Sequence, residues 1–449
     1  MRQLYHPDLY DSSQPIGSYW EASTTVPQDD YGPLEGDDSC EVAIIGGGYT
    51  GLSAALHLAR DQGIEARVLE AGPIGWGASG RNGGFCTLAA TKLSADQLIK
   101  RYGEAETKRF YVAQREGIEL VAGLAEDEGI DYDRQGSGII AVAHRPAAFA
   151  ELEVEAEVLE NLLGINARLI SREAFAESVH DSTEQFGALH MPLGFGLHPL
   201  KFLVGLAAAA HGRGARLHGR SAVLEWRREG PSHHLITAKG SLRAKRVLLA
   251  TNGFTPESLH SGFTAQTLPA LSNIITTRPL TTEELAAQRW QSECPIHNTR
   301  HMLFYYRLLP DRRLLFGARG DTRGDRSSAA KMRDWMIRRL GEVFPAWRDV
   351  PISHAWRGPV CATRRLTPAL GRLEDDPSIA FGFGYHGNGV NTAPWCGMML
   401  ARLVAGESLA SVPAVMRGLP GRFPLPGLRL WALRAGYLYY RLQDDWLGG

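Results

Sequence analysis

The stretch from Cys40 to Glu70 constrains the fold of this chain most. A β-branched apolar run ends at Gly46, a helical pattern of small and apolar residues follows, and a second apolar run ends at Glu70. A strand, glycine turn, helix and second strand ending in an acid form the first βαβ unit of a dinucleotide-binding fold. In such a unit Gly46 permits the tight turn, Gly48 lets the backbone approach a pyrophosphate, and Gly51 lets the helix pack closely on the strand. The helix N-terminus then presents free N–H groups to the phosphates, and we expect Glu70 to accept hydrogen bonds from an adenosine ribose.

The glycine spacing by itself carries little weight, because the chain contains 50 Gly among 449 residues. At this composition roughly 0.6 GxGxxG matches are expected by chance. Three are present, and they begin at Gly46, Gly75 and Gly382. We expect only the first match to follow a strand, open a helix and lead to a strand that ends in an acid. The context therefore selects the first match as the nucleotide-binding turn, and a βαβ unit without a ligand is the alternative.

The bulk composition excludes several classes of function. A hydrophobic content of 44% and a charged content of 22% are ordinary for a globular protein. The net charge of −1 and the lack of a strongly basic run give no reason to expect nucleic acid as a partner. The five cysteines are scattered and form no CxxC, so we expect neither a disulfide framework nor a metal site. No apolar stretch approaches the length of a membrane span and the N-terminus lacks an apolar signal core, so we expect a cytoplasmic protein without a membrane partner. An oligomer is left open.

A second glycine-rich segment follows the acid of the βαβ unit. Residues 71–85, AGPIGWGASGRNGGF, contain six glycines in fifteen residues. Packing of its own side chains cannot offset the entropy lost when such a loop becomes ordered, so its backbone is expected to lie against a flat or phosphorylated ligand. Ser79, Arg81 and Asn82 add side-chain donors. Together with the glycine turn and the acid, the ASGRNGG loop resembles the FAD-dependent D-amino-acid oxidase superfamily, most closely the γ-glutamylputrescine oxidoreductase group, with glycine and sarcosine oxidases as more distant relatives.

Two later segments are similar to further elements of that family. RVLLATNGF (246–254) resembles the element that closes over the FAD, and FGFGYHGNGV (381–390) resembles the loop that cradles the pyrimidine end of the flavin. The helix after that loop would direct its N-terminus at the flavin and stabilise the anionic reduced ring. The resemblance implies FAD as the cofactor and the following binding residues: Gly46, Gly48, Tyr49, Thr50, Gly51, Glu70, Ala71, Ser79, Arg81, Asn82, Gly83, Gly84, Val223, Thr251, Asn252, Gly253, Gly387, Asn388, Gly389 and Val390.

The resemblance also implies the fold class, which is α/β (α+β overall). A Rossmann-like FAD-binding domain would be interleaved with an antiparallel-sheet substrate domain. The expected order is an N-terminal arm (1–37), an FAD-binding domain (38–92, 190–265 and 355–410), a substrate domain (93–189 and 266–354) and a C-terminal helical tail (411–449). From the residues themselves we predict helices over 94–128 and 146–163, and strands over 138–142, 274–279, 301–307 and 313–318.

Three side chains are candidates for the chemistry: Tyr305, Arg307 and His386. Strand alternation places Tyr305 and Arg307 on one face, and in the resembled family this sheet roofs the flavin. Arg307 could pair with a substrate carboxylate, since guanidinium binds carboxylate in a bidentate manner, and an exposed strand arginine is the alternative. His386 is the best-placed ionisable side chain of the 381–390 loop, although the backbone N–H groups of Gly387 to Val390 are expected to matter more.

The resemblance implies an FAD-dependent oxidoreductase that oxidises the C–N bond of an amine or amino-acid-like substrate. A hydride passes to the flavin from the carbon next to a neutral amine, and the imine product hydrolyses. A γ-glutamylated or otherwise carboxylated amine is the substrate class that the resemblance implies. The alternatives are a D-amino-acid or glycine/sarcosine-type oxidase and, in another class, a non-catalytic flavin-binding protein.

Two positions depart from the sarcosine oxidase branch. That branch bonds its flavin to a cysteine five residues before a threonine that corresponds to Thr363, whereas Cys361 is only two residues before it. We therefore predict noncovalent FAD. Leu315 stands where that branch has an oxygen-activating lysine, so oxygen and another electron acceptor both remain open.

Overall fold

In a computed structural model, which describes residues 3–24, 31–88 and 90–444, the protein is built on two eight-stranded sheets. The predicted arm and tail extend beyond this range, because residues 1–2, 25–30 and 445–449 lie outside the described residues, as does residue 89. The strands are, in chain order, β1 (Gly36–Ile45), β2 (Ala66–Leu69), β3 (Phe85–Cys86), β4 (Ile139–Val142), β5 (Arg168–Ile170), β6 (Ala188–Met191), β7 (Phe195–Gly196), β8 (Arg216–His218), β9 (Glu225–Glu229), β10 (Ser232–Ile236), β11 (Gly240–Leu249), β12 (Thr267–Thr277), β13 (Ile296–Asn298), β14 (Phe304–Leu308), β15 (Leu314–Arg319), β16 (Ile352–Thr363), β17 (Ala369–Arg372) and β18 (Ile379–Phe383). The helices are α1 (Tyr19–Ser23), α2 (Tyr49–Gln62), α3 (Ala78–Arg81), α4 (Ala95–Tyr102), α5 (Glu104–Asp127), α6 (Pro146–Leu163), α7 (Arg172–Ser178), α8 (Pro199–Gly212), α9 (Thr282–Ala287), α10 (Arg326–Val343), α11 (Gly389–Val404) and α12 (Arg429–Leu442).

The first sheet has the order β17-β18-β11-β1-β2-β8, and the hairpin β9–β10 is attached to β11. Five successive strands of this order, β18, β11, β1, β2 and β8, pair in parallel. Residues 42–45 of β1 are buried on both faces, which explains the unbroken apolar run of that strand. α2 starts at the glycine turn and ends at Gly63, whose left-handed backbone (φ 63°) closes the helix. This is the parallel, Rossmann-like sheet that the sequence predicts.

The second sheet has the order β16-β12-β15-β14-β13-β4-β6-β5 and is antiparallel except for the pair β13–β4. α10 packs on its outer face, where an aromatic cluster that includes Trp290, Tyr306, Phe344 and Trp347 forms a separate core. The predicted fold class, a Rossmann-like domain interleaved with a largely antiparallel one, is confirmed. One predicted domain boundary needs correction, because β16 pairs with β12 over its whole length and so belongs to the second sheet, although we assigned residues 355–363 to the first domain.

Local signals set the bounds of the helices. The helix predicted over 94–128 is two helices, because Gly103 adopts φ 81° and interrupts the helical backbone between α4 and α5. α4 begins with a capping box in which Ser94 and Gln97 exchange hydrogen bonds. α6 matches the predicted range 146–163, with Pro146 in its first turn and Gly164 as its left-handed cap. Within the described ranges, no helix combines the length and the apolar character that a bilayer crossing requires.

Candidate cofactor and substrate site

A cavity of about 890 Å³ lies between the two sheets, and we call it the central cavity. It opens at the carboxyl ends of four neighbouring parallel strands, where Ile45, Leu69, Ala250 and Tyr385 line it. This edge is where doubly wound sheets bind their ligands. The inward face of the second sheet forms another wall. The volume is at the upper end of the range of about 300–1,000 Å³ that is typical of ligand sites.

The glycine turn after β1 has the geometry that a close backbone approach requires. Gly46 adopts φ 110°, and a Cβ at this position would lie 2.7 Å from the carbonyl oxygen of Ala250. A Cβ at Gly51 would lie 1.9 Å from the carbonyl oxygen of Gly46, so strand and helix touch here backbone to backbone. Glu70 is half-buried at the cavity wall, and its carboxylate accepts hydrogen bonds from the N–H of Gly47 (2.6 Å) and of Gly72 (3.1 Å). Burial raises the pKa of Glu70, which these N–H donors oppose.

The other two glycine matches also open helices, so the expectation that only the first does so is wrong. Gly75 adopts φ 102°, and a Cβ at Gly80 in α3 would lie 1.9 Å from the carbonyl oxygen of Gly75. The third match follows β18 and leads into α11 at Gly389. The described cavity lining contains a glycine from each match, which for the second is Gly77. Three helix N-termini therefore meet at one cavity, and each offers N–H groups without an intrahelical partner.

The segment around α3 uses its side chains to shape the loop. The Arg81 guanidinium donates to the carbonyl oxygens of Trp76 and Arg357 and stacks over the Trp76 ring at 4.3 Å. Ser79 Oγ accepts from the N–H of Tyr49 at 3.0 Å, which ties the loop to the start of α2. Asn82 accepts from the N–H of Gly84 (2.8 Å). The side chains of Ser79, Arg81 and Asn82 line the cavity, but their bonds hold the loop in place and leave much of the ligand-facing role to its backbone.

The loop after β18 is held in a left-handed conformation. Gly384, His386 and Gly387 have φ of 82°, 53° and 101°. Asn252 Oδ1 accepts from the Gly384 N–H at 2.9 Å, which joins this loop to the one after β11. Within the described residues, the Nδ1 atom of His386 is buried without a hydrogen-bond partner. Burial, together with the charge of Lys92, lowers the pKa of His386 to about 3, so its imidazole is neutral at pH 7.

The inward face of the second sheet carries the polar side chains of His297 on β13 and Tyr305 on β14, which are paired in register. Gly317 on β15 is the next residue across the strands and is paired with Tyr305. The Tyr305 ring lies over Gly317, where a Cβ would approach the ring to 2.1 Å. Its hydroxyl shares a hydrogen bond of 2.9 Å with Ser272 Oγ on β12. Tyr305 is thus fixed at the cavity by a glycine beneath it and a hydroxyl beside it.

Arg307 does not line the central cavity, and its predicted role as a carboxylate partner needs correction. It is 1% exposed, and its guanidinium donates to the carbonyl oxygens of Gly83 and Leu197 and to Gln135 Oε1. Burial lowers the pKa of Arg307 to about 9. Arg307 is absent from the cavity lining, although it lies on the same strand face as Tyr305. The prediction failed because alternation assigns a strand residue to a face of the sheet but not to a position along the strand. Its guanidinium joins three segments of the protein and has no room for a ligand.

Most of the other predicted residues do meet at the central cavity. The described lining includes Gly46, Gly48, Tyr49, Thr50, Glu70, Ala71, Ser79, Arg81, Asn82, Gly83, Val223, Thr251, Asn252, Tyr305, His386, Gly387, Asn388, Gly389 and Val390. Gly51, Gly84 and Gly253 lie behind it and serve packing; a Cβ at Gly84, for example, would lie 2.0 Å from the carbonyl oxygen of Leu197.

Sequence reasoning missed Lys92, His297 and Arg319, which also line the cavity. A signal existed for Arg319, since it follows Leu315 and Gly317 at the period of two that defines one face of a strand. Lys92 lies in an irregular segment with no periodicity, and β13 has only three residues, so neither Lys92 nor His297 gives a signal in the sequence.

Comparison with known proteins agrees with this arrangement. The family model described as FAD dependent oxidoreductase matches residues 41–403. The γ-glutamylputrescine oxidoreductase of Escherichia coli (strain K12) is 33% identical over 433 residues, covering 95% of this chain and 98% of that protein. The crystal structure of glycine oxidase from Geobacillus kaustophilus superposes with a TM-score of 0.68 at 20% identity, covering 86% of this chain and 100% of that one. The L-proline dehydrogenase from P. horikoshii superposes with a TM-score of 0.66 at 20% identity, over 90% and 99% of the two chains.

The chain belongs to the family of FAD-dependent oxidoreductases, as the resemblance in its sequence predicted. The central cavity fits this cofactor. The turn at Gly46–Gly51 and the carboxylate of Glu70 suit the ADP half, and the α3 loop with the α11 N-terminus suits the flavin half.

Proposed function

We propose that this protein oxidises the C–N bond of an amine or amino-acid-like substrate, with a γ-glutamylated or otherwise carboxylated amine as the substrate class. Bound FAD would accept the hydride, and water would hydrolyse the imine product. The observation that carries the proposal is that one cavity joins the nucleotide turn to a sheet face with polar side chains. The E. coli relative, whose name specifies γ-glutamylputrescine, supports the choice of substrate class.

The described cavity wall favours oxidation of a neutral amine without a dedicated base. An alkylammonium ion has a pKa near ~10, so deprotonating it at pH 7 costs about 4 kcal/mol at 1.36 kcal/mol per pKa unit. A cavity wall that includes Tyr305, Tyr385 and Phe85 supplies part of that shift by desolvation. The positive charge of Arg319 also disfavours the ammonium form nearby. His386 lies in the same wall, and its lowered pKa keeps it neutral rather than charged.

We propose that FAD is bound noncovalently. Cys361 lines the cavity, and burial raises the pKa of its thiol to about 12. The thiol is therefore protonated at pH 7, and a thiol is a much weaker nucleophile than a thiolate. If the protein precipitated by acid stayed yellow and the supernatant stayed colourless, this part of the proposal would be wrong. We also propose a reducing, cytoplasmic location, which the five free cysteines support.

Anaerobic mixing of the purified holoenzyme with single amines tests the function. γ-Glutamylated diamines, D-amino acids and N-methyl amino acids form the panel, and bleaching of the flavin absorbance reports its reduction. We expect bleaching by the γ-glutamylated diamines, and release of an aldehyde once air is admitted. Bleaching only by D-amino acids or N-methylglycine would establish the alternative type of oxidase. No bleaching by any amine would contradict the proposal and favour a non-catalytic flavin-binding protein.

A further inference from the structure

Two basic side chains of the central cavity, Lys92 and Arg319, have no acidic partner in the part of the chain that the structure describes. Lys92 lies in the segment between β3 and α4, and Arg319 is the last residue of β15. Among the described residues, the Lys92 ammonium has no hydrogen bond or ion pair, and the Arg319 guanidinium has one hydrogen bond, to the carbonyl oxygen of His301 at 3.3 Å. Most of the donors of this pair therefore remain available to a ligand.

The other cationic side chains near the cavity are fully engaged. Arg81 donates to two backbone carbonyls and stacks on Trp76. Arg307 donates to two carbonyls and to Gln135, and it lies outside the cavity. Of the Lys and Arg side chains in the described lining, Lys92 and Arg319 are the two whose N–H donors are mostly without a partner in the protein.

Among the described residues, no carboxylate acts on the pKa of Lys92 or of Arg319. Desolvation by the cavity wall lowers the pKa of Lys92, and the charge of Arg319 lowers it further. Burial lowers the pKa of His297 and of His386, and both basic groups lower it further. The acids in the described lining lie on other elements: Glu70 after β2, Asp96 in α4, and Glu151 and Glu155 in α6. Two neighbouring basic groups disfavour each other's charged form, and a bound carboxylate would favour the ammonium form of Lys92.

The backbone that carries each of the two side chains is fixed by hydrogen bonds within the protein. The Lys92 N–H donates to the carbonyl oxygen of Leu366 at 3.1 Å, and Thr91 Oγ1 donates to the same oxygen at 2.9 Å. Arg319 is paired in register with Ser272, whose hydroxyl holds the Tyr305 ring. Arg319 and Tyr305 thus lie on adjacent strands and face the same cavity, so an anion bound by Arg319 is a neighbour of the Tyr305 ring.

We propose that Lys92 and Arg319 together bind a carboxylate of the substrate, and that this pair selects carboxylated amines over simple amines. The proposal rests on the proposed amine oxidation. Guanidinium offers two parallel N–H donors to a carboxylate, and the lysine ammonium adds a third charge-assisted hydrogen bond. The pair performs the role that sequence alternation assigned to Arg307.

Calorimetric titration of the holoenzyme with glutarate tests this site without turnover, because glutarate carries carboxylates and has no amine to oxidise. We expect wild-type protein to bind glutarate, and Arg319→Met and Lys92→Met each to weaken binding by about tenfold or more, as the loss of a charge-assisted hydrogen bond predicts. Lys100→Met, an exposed lysine on α4, is the matched control and should bind as wild type. Glutaramide, which is neutral, should bind weakly to all four proteins.

FAD content and melting temperature verify that each variant is folded, and Arg319→Lys replaces Arg319→Met if the latter fails to fold. Unchanged glutarate affinity in both variants, or no binding of glutarate to wild-type holoenzyme at millimolar concentration, would overturn the proposal. Failure of the proposed function would give a different result. If wild-type protein bound glutarate through this pair but no amine reduced its flavin, the carboxylate site would stand and the proposed amine oxidation would be wrong.

Discussion

The two walls of the central cavity differ in whether main-chain or side-chain groups face the ligand. At the edge of the parallel sheet, three glycine turns at Gly46, Gly77 and Gly387 place helix N-termini against the cavity, and we call this the backbone wall. On the second sheet, His297, Tyr305 and Arg319 project from neighbouring strands, and we call this the side-chain wall. A dinucleotide is the same molecule in every member of a family, and N–H groups suffice to hold it. A substrate differs between members, so its recognition depends on side chains that can change without changing the fold.

The largest expected effect is on the backbone wall. Gly51→Ala places a methyl group 1.9 Å from the carbonyl oxygen of Gly46, where no side chain can move aside. We expect the binding free energy of FAD to weaken by about 3 kcal/mol, which corresponds to an affinity roughly 100-fold lower. The FAD content of purified protein, measured by absorbance, checks this. Gly123→Ala in α5 is the control, because a Cβ there meets open space and should leave the FAD content unchanged.

Arg307 connects the two walls, and its loss should reduce stability rather than substrate affinity. Arg307→Met leaves two carbonyl oxygens and one amide oxygen without a donor, so we expect the free energy of unfolding to fall by about 3 kcal/mol. Urea denaturation measures this change, and exposed Arg338→Met should be neutral. Glutarate affinity of the FAD-loaded fraction should match wild type. If FAD-loaded Arg307→Met bound glutarate tenfold more weakly than wild type, Arg307 would be part of the carboxylate site.

Behind the side-chain wall, a buried histidine should make the protein acid-sensitive. His180 stacks on Trp290 at 4.8 Å, and burial lowers its pKa to about 3 from an ordinary value near 6.5. Between these values the unfolded state binds a proton that the folded state does not, so stability falls as the pH falls, by about 1.4 kcal/mol per pH unit. In His180→Gln the slope between pH 6 and pH 4 should be shallower by that amount. Above pH 7 the slopes of variant and wild type should coincide; equal slopes at acid pH would contradict the assignment.

The smallest effect concerns the placement of the Tyr305 ring. Tyr305→Phe removes one hydrogen bond to Ser272 but keeps the ring over Gly317, so the half-saturating amine concentration for flavin reduction should rise by about fivefold at most. Gly317→Ala should have the larger effect of the two, because its methyl group would displace the ring. If Tyr305→Phe were the more damaging change, the hydroxyl would have a direct role in the reaction.

The sequence could predict the backbone wall because its signals are local. The strand, glycine turn, helix and acid from Cys40 to Glu70 all lie within one supersecondary unit, and the structure places them as expected. Gly75 forms a turn like that of Gly46 although no strand directly precedes it, so such a turn does not require the strand that we expected before it. Such a turn depends on backbone conformation, which hydrophobic periodicity does not report.

The side-chain wall could be predicted only in part because its contacts are long-range. Alternation placed Tyr305 and Arg307 on one face, but only the packing of Gly83 and Leu197 shows that Arg307 lies outside the cavity. Lys92 comes from an irregular segment, and it meets Arg319 only through the folding of more than 200 intervening residues. Uncompensated charge in a cavity is a property of the folded structure, so no window of sequence displays it.

Anaerobic mixing of wild-type holoenzyme with a γ-glutamylated diamine, beside the same diamine without its γ-glutamyl group, tests the joint role of the two walls most directly. The flavin absorbance band reports reduction in both. We expect complete bleaching by the γ-glutamylated diamine, half-saturated at a concentration at least about tenfold lower than that of the free diamine, since only the former carries the carboxylate for Lys92 and Arg319. A flavin that stays oxidised with both diamines, or that is reduced by both at equal concentrations, would contradict this account.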